Sequence, residues 1–313
     1  MANTFLKPEV IANASVGMLE RELVLSNLVW TSHGIDFTGA KNDTVSLRVP
    51  ARTTAREYAW RNDRSSDIVL DELTETSVPV TLNRDIYSAV AITDEQLTMD
   101  IKDFGGQVLD PQVRAVATYL DNQVATLIQG ATYGAEGVGT ITVVVNTDNP
   151  DAANAPLKSI TKARKLLNKN EVPMEGRTLL VGSDFEEYLL NSGSLTDVSQ
   201  SGSDGALREA TLGRLRGFNV VTSTAIAPDT AYAFVPSAFL LATRAPAIPA
   251  GATFGAGASF AGFSMRWLRD YDPMKLRDRS VVNTYAGMQV MTDGGALKRA
   301  IKLQLDDQPG AGL

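Results

Sequence analysis

Side chains able to do covalent or proton-transfer chemistry are scarce in this sequence and poorly spaced for it. The chain holds one histidine, His33, and no cysteine. A histidine-bearing triad or a zinc centre therefore has almost nothing to draw on. His33 stands beside Gly34 in a polar stretch, where a lone histidine reads as a surface residue. The glycine-rich stretches "GAEGVGTI" and "GATFGAGASFAG" do not sit between a strand and a phosphate-facing helix, and GxxxxGKS/T is absent. "NTDNPD" is rich in Asn and Asp but lacks the spacing and closing Glu of a calcium loop. The many carboxylates form no pair placed for acid–base work. No catalytic residue, cofactor or metal site is assigned.

What the charged side chains can do is pair with each other. Residues 52–64 carry Arg52, Arg56, Arg61 and Arg64 against Glu57 and Asp63, whereas "DIVLDELTE" carries Asp67, Asp71, Glu72 and Glu75 and no base. Two neighbouring stretches of opposite charge predict a long β-hairpin whose limbs attract across strands, turning near Asn62 to Ser66. Its large apolar residues, Tyr58, Trp60, Ile68, Leu70 and Leu73, are too few for a core of their own, and a lone hairpin is marginal in water. It must rest on something else. Arg52, Arg56, Trp60, Arg61, Arg64, Asp67, Asp71 and Glu72 are the candidate inter-subunit contact residues, with plain surface solubility as the competing explanation.

Composition narrows the class. Apolar residues make up 44% of 313 and charged residues 21%, which suits a folded chain of about two domains rather than a disordered one. The net charge of −7 argues against a protein that coats nucleic acid, although a local surface that tolerates DNA stays open. The absence of cysteine suits a reducing compartment. No apolar run reaches membrane-helix length and no secretory signal is visible, so a cytosolic protein is expected.

The elements that must carry the hairpin are legible from periodicity. Residues 1–32 read as an arm with helical spacing at Val10, Ile11, Ala14, Met18, Leu19 and Leu23. "TVSLRV" (44–49) alternates as a strand. "SVPVTLNRDIYSAVAITDEQLTMDI" predicts one long strand, with Val78, Val80, Leu82, Ile86, Val90 and Ile92 on one face, entering a helix at "TDEQ" without a turn. Leu97, Ile101, Phe104 and Val108 continue that helix. Gly105-Gly106 and Asp110-Pro111 then interrupt it, with Asp110 as N-cap of a stronger helix bearing Val113, Val116, Ala117, Leu120, Val124, Leu127 and Ile128. Together they give a bent spine of roughly 35 residues, about 50 Å at 1.5 Å per residue.

Downstream, strands at "GTITVVVN", "RTLLVG", "GRLRGFNVVTS" and "TAYAFVPSAFLLAT" alternate with helices "PLKSITKARKLLNKN" and "DFEEYLLN", the latter capped by Ser183. "SGSLTDVSQSGSDG" reads as a loop and 247–262 as a glycine-rich connector. "SMRWLRDYDPMKLRDRSVVNTYAGMQVM" returns as strands around a charged turn.

This order of parts resembles the major capsid proteins of tailed bacteriophages with the Hong Kong 97 fold, most nearly the coat-protein group of short-tailed enteric phages. The most telling stretches are "DPQVRAVATYLDNQVATLIQGA", "ARKLLNKNEVPMEGRTLLVGSDFEEYLL", "LRGFNVVTSTAI" and "VVNTYAGMQVM". The resemblance implies an α+β fold with an N-terminal arm (1–32), an extended β-hairpin or E-loop (33–76), and a peripheral domain with the spine helix (77–134). An α/β axial domain (135–261) and the return strands with a C-terminal tail (262–313) complete it.

It further implies a non-enzymatic chain that self-assembles into pentamers and hexamers. These would form an icosahedral virion shell around double-stranded DNA that it contacts only weakly, built in the host cytoplasm. Its partners would be copies of itself, a separate scaffolding protein and a portal, with no membrane. The insertion domain of the enteric coat is not visible here, and the Lys–Asn cross-link of some members has no match. Competing readings are an encapsulin-type compartment, marked by enzyme cargo, and an α+β hydrolase using carboxylates, marked by activity in a monomer. A nucleic-acid packaging protein is opposed by the charge.

Overall fold

The structure is a computed structural model. It describes residues 24–31, 44–49, 53–58, 60–61, 64–65, 67–72, 76–100, 104–145, 154–192, 213–252, 254–260 and 263–306. His33, "NTDNPD", most of the arm and all but Ser192 of the predicted loop 192–205 lie outside the described residues.

The described residues build two six-stranded sheets and one two-stranded ladder, with helices between the strands. The first sheet is organised by its longest strand, β13 (Arg277–Val290). One edge of β13 takes β4 (Arg84–Thr93) along residues 277–286. The other edge takes β12 (Phe263–Asp272) along 277–283 and then β10 (Phe239–Arg244) along 285–290. β11 (Phe254–Phe260) pairs outside β12, and β1 (Trp30–Thr31) pairs in parallel with β10.

The second sheet runs β5 (Thr140–Val144), β14 (Ala300–Asp306), β9 (Thr230–Phe234), β6 (Thr178–Val181), β8 (Phe218–Thr222), β7 (Arg214–Leu215). β6 and β9 are buried along their whole length, and their side chains divide by parity. Leu179, Val181, Ala231 and Ala233 face helices α2 (Ala155–Lys169) and α3 (Ser183–Leu190). Leu180, Tyr232 and Phe234 face the core around α1 (Asp110–Gly130). A strand buried on both faces reads as an unbroken apolar run, and "TLLV" and "TAYAF" do so.

α1 is amphipathic as expected, burying Val113, Val116, Ala117, Leu120, Val124 and Ile128 at helical spacing. Against expectation, Asp110 is not its N-cap. The Gly105-Gly106 pair sits in a wide helical turn rather than a break, and the Asp110 N–H bonds back to the Gly105 carbonyl, five residues earlier. Asp110 has helical angles (φ −58°, ψ −49°), so its side chain is free to accept from Arg114 one turn on (3.3 Å). Ser183 is also inside its helix, with Gly182 extended before it and its hydroxyl donating to Asp184 (3.1 Å).

Three further expectations change. The long strand of 77–93 is two strands in two sheets: β3 (Thr76–Thr81) pairs with β2 (Thr44–Val49), and the chain steps at Leu82-Asn83 into β4. Arg84, in register with the apolar residues, marks the step. The glycine connector contains β11, in which Ala256 and Ala258 are buried while Gly255 lets Ile248 lie against it. A Cβ at Gly255 would meet Ile248 Cγ2 at 2.6 Å. Finally, the sheets do not divide at 261/262. β10 and β11 belong with the return strands, and β14 from the return segment inserts between β5 and β9 of the second sheet.

Candidate assembly surface

Among the described residues, no group of three or more His, Asp and Glu side chains could hold a metal, and no helix is long and apolar enough to cross a membrane. The groups with shifted acidity have structural causes. Burial pushes the Tyr133 hydroxyl well above its usual value, with neighbouring Tyr232 adding to it, and the hydroxyl donates to the Ile128 carbonyl (2.7 Å). Arg177 is lowered by burial and by nearby Arg164, and donates to the carbonyls of Val172 (2.6 Å) and Pro173 (2.8 Å).

The surface that stands out is the charged loop and its mount. The mount is the β2–β3 ladder, in register from Thr44 opposite Thr81 to Val49 opposite Thr76. Val78 and Val80 are buried on Leu240, Ala242 and Met291, with Val45 and Leu47 beside them. Leu240 and Ala242 alternate with Phe239 and Leu241, which face α1. The ladder therefore lies on the face of the first sheet opposite the spine helix. It meets β13 at Gly287, where a Cβ would stand 2.3 Å from the Thr81 carbonyl oxygen. The sheet side of this mount is fixed by a buried polar network. Gln112 on α1 donates to the Ser280 carbonyl (2.9 Å) and the Ser88 carbonyl (3.2 Å), and accepts from the Ser280 hydroxyl (2.8 Å). Trp267 Nε1 donates to that same hydroxyl (3.0 Å). Every buried group there has a partner, which is what makes such a network rigid rather than costly.

Beyond the ladder, the described residues between 53 and 72 form no strand pairing. The limbs have too little apolar surface to bury against each other, and charge attraction alone does not order a ladder in water. Of the predicted contact residues, the structure brings Arg56 to Asp71 (2.7 Å). Arg64 lies over the Tyr58 ring (5.2 Å to the centroid). Arg61 and Arg64 adopt left-handed backbone (φ 59° and 58°), a conformation uncommon without glycine. Asp67 and Glu72 are exposed, and Arg52 lies outside the described residues. Trp60 is 88% exposed, and the run Ile68, Val69 and Leu70 is 65, 66 and 83% exposed. Sequence reading counted Trp60 as a contact residue and noted Ile68 and Leu70 as apolar, but it left the consecutive run Ile68, Val69 and Leu70 out of the contact candidates.

The arm has its own anchor, which sequence gave no sign of. Asp121 on α1 accepts the backbone N–H groups of Val24 (2.7 Å), Leu25 (3.1 Å) and Ser26 (3.0 Å), and the Ser26 hydroxyl (2.6 Å). Leu25 and Val29 are buried in the α1 core beside it. Asp121→Ala should strip three amides of a charged acceptor, weakening the docked segment by about 2 kcal/mol. The measurable outcome is amide exchange at Val24–Ser26 about thirtyfold faster, with the α1 core unchanged.

Comparison with known proteins agrees with this picture. The sequence pattern of the phage capsid protein family matches residues 84–296. No curated protein sequence matches the chain. Among solved structures, a chain of Mycobacterium phage Che8 superposes with a TM-score of 0.62 at 19% identity over 90% of each chain. The capsid of Cyanophage P-SCSP1u gives 0.61 at 13% identity, over 98% of this chain and 91% of that one. The mature capsid of bacteriophage PhiM1 gives 0.61 at 11% identity over 90% of both. The structural likenesses establish the fold, and the sequence pattern, spanning well over half of the chain, establishes the family. The chain belongs to the phage capsid protein family: it is a tailed-phage major capsid protein of the Hong Kong 97 fold, a virion component that builds the shell.

Proposed function

We propose that this shell is icosahedral, made of pentamers and hexamers, and that residues 33–76 are the E-loop, whose part from 53 to 72 each subunit lays across a neighbour. The observation that carries this is the exposed apolar run at Trp60 and Ile68–Leu70, mounted on a rigid ladder with nothing of its own chain described over it. Heterologous contacts of this kind close into rings when the rotation between copies permits, and weak contacts repeated around a lattice sum to a stable one. Residues 1–32 act as the arm. The peripheral domain comprises the spine helix with the first sheet, and the axial domain comprises the second sheet with α2 and α3. The chain has no catalytic role. A scaffolding protein and a portal assist assembly in the host cytoplasm, and the finished shell encloses double-stranded DNA.

Electron microscopy of the purified protein, alone and with its scaffold, tests the reading directly. Closed shells or tubes support it, whereas a discrete monomer or dimer under all conditions overturns it. Charge pairing is tested separately. Reversing Arg56 and Arg61 to Glu places like charge against the acidic limb, so assembly yield should fall several-fold at low salt and recover toward wild type as salt rises. Equal yields at low salt would remove charge pairing from the account.

A further inference from the structure

We propose that a basic cleft on α2 binds the phosphate backbone of double-stranded DNA; this rests on the reading that the shell encloses such DNA. The chain as a whole is acidic, with a net charge of −7. Yet α2 carries Lys158, Lys162, Arg164, Lys165 and Lys169 and not one carboxylate. Lys158, Lys162, Lys165 and Lys169 recur at intervals of 4, 3 and 4, which puts them on one stripe, and all four are exposed. Like charges at this spacing destabilise a helix.

The stripe faces a second basic element. Arg164 donates to the Arg216 carbonyl (3.1 Å), and Arg216 occupies the left-handed turn (φ 50°) between β7 and β8. Between them lies a cleft of about 470 Å³ lined by Lys158, Lys162, Lys165 and Arg216, with Thr161 and Asn154 as neutral polar groups. Among the described residues, Leu157 is the only apolar one lining it. A protein partner would need an apolar centre to dock against. A phosphate backbone needs only cations and hydrogen-bond donors, and no aromatic side chain among the described lining residues offers a surface for a base to stack on.

The test uses the full-length subunit and a fluorescent 40-base-pair DNA duplex, read by anisotropy between 50 and 200 mM NaCl. Three to four neutralised phosphates give a logarithmic salt slope of about −3, so affinity should fall about sixtyfold across that range. Lys162→Gln with Lys165→Gln should reduce the slope to about −1 and the fall to about fourfold, while Lys275→Gln, on the β12–β13 turn, should leave both at the wild-type values. An unchanged slope in the double variant, or no binding at 50 mM, overturns the inference. So does poly-glutamate of equal charge binding as tightly as the duplex, which would assign the cleft to an acidic protein segment. Shell formation is scored in parallel by electron microscopy. Closed wild-type shells with an unaltered double-variant slope refute the DNA contact alone, whereas wild-type protein that never closes refutes the assembly reading itself.

Discussion

A chain lacking residues 52–73, rejoined through a short Gly-Ser turn, is expected to fold and to form no shells. The ladder beneath the loop keeps its own burial, since Val78 and Val80 pack on Leu240, Ala242 and Met291 and not on the deleted residues. The loop itself gives the subunit almost nothing. Trp60 and Leu70 are more than four-fifths exposed, and Arg56 with Asp71 is a solvent-facing pair worth at most about 1 kcal/mol. Circular dichroism and thermal melting should therefore stay close to wild type. Assembly should not. Burying Trp60, Ile68, Val69 and Leu70 on a neighbour is worth about 1.5–3 kcal/mol per side chain before association costs, so the deletion removes several kcal/mol from every subunit contact. Wild-type-like shells from the deletion would refute the E-loop assignment outright.

Replacing Gly287 should have the next largest effect, and in the opposite sense for the subunit. Even the single methyl of Gly287→Ala would enter within 2.3 Å of the Thr81 carbonyl oxygen, and the Thr81 carbonyl carbon lies at 2.9 Å. These are backbone atoms, so the ladder must lift off the sheet rather than a side chain turn aside. Overpacking of this kind costs about 1–3 kcal/mol, and lifting also uncovers Val80 and Leu240, both fully buried in the wild type. Denaturant unfolding should show that loss, and shells should be fewer and irregular because the loop leaves its mount at a wrong angle. A variant as stable as wild type would mean that the approach of Thr81 to Gly287 is not rigid. Gly287→Val should be worse on both readouts.

The parts legible in the sequence were those where one period or one charge pattern dominated. Leu120 and its neighbours repeat at helical spacing, whereas the segregation of Arg56 and Arg61 from Asp71 and Glu72 predicted a paired hairpin of which the described residues keep Arg56 against Asp71 but no ladder. What stayed hidden depended on partners far away in the chain. Nothing near Asp121 indicates that it would bind amides some 95 residues earlier. The alternation through Leu82 concealed a change of sheet, because a strand crossing a sheet face and a strand joining its edge share one period. Small residues misled at β11: Ala256 and Ala258 fill a tight core, and their glycine neighbours make way for Ile248, a combination that reads as a linker when the neighbour is unseen.

The placing of β14 between β5 and β9 governs when a subunit becomes competent. Among the described residues β5 has only β14 as a strand partner, so residues 140–144 cannot finish their sheet until residues 300–306 have been made. At 5–20 residues per second the ribosome takes about 8–30 s to add the intervening stretch. A nascent chain in that interval has the exposed Trp60 and Ile68–Leu70 already synthesised but no completed second sheet. Topology alone therefore makes the synthesis of residues 300–306 the step that completes the second sheet.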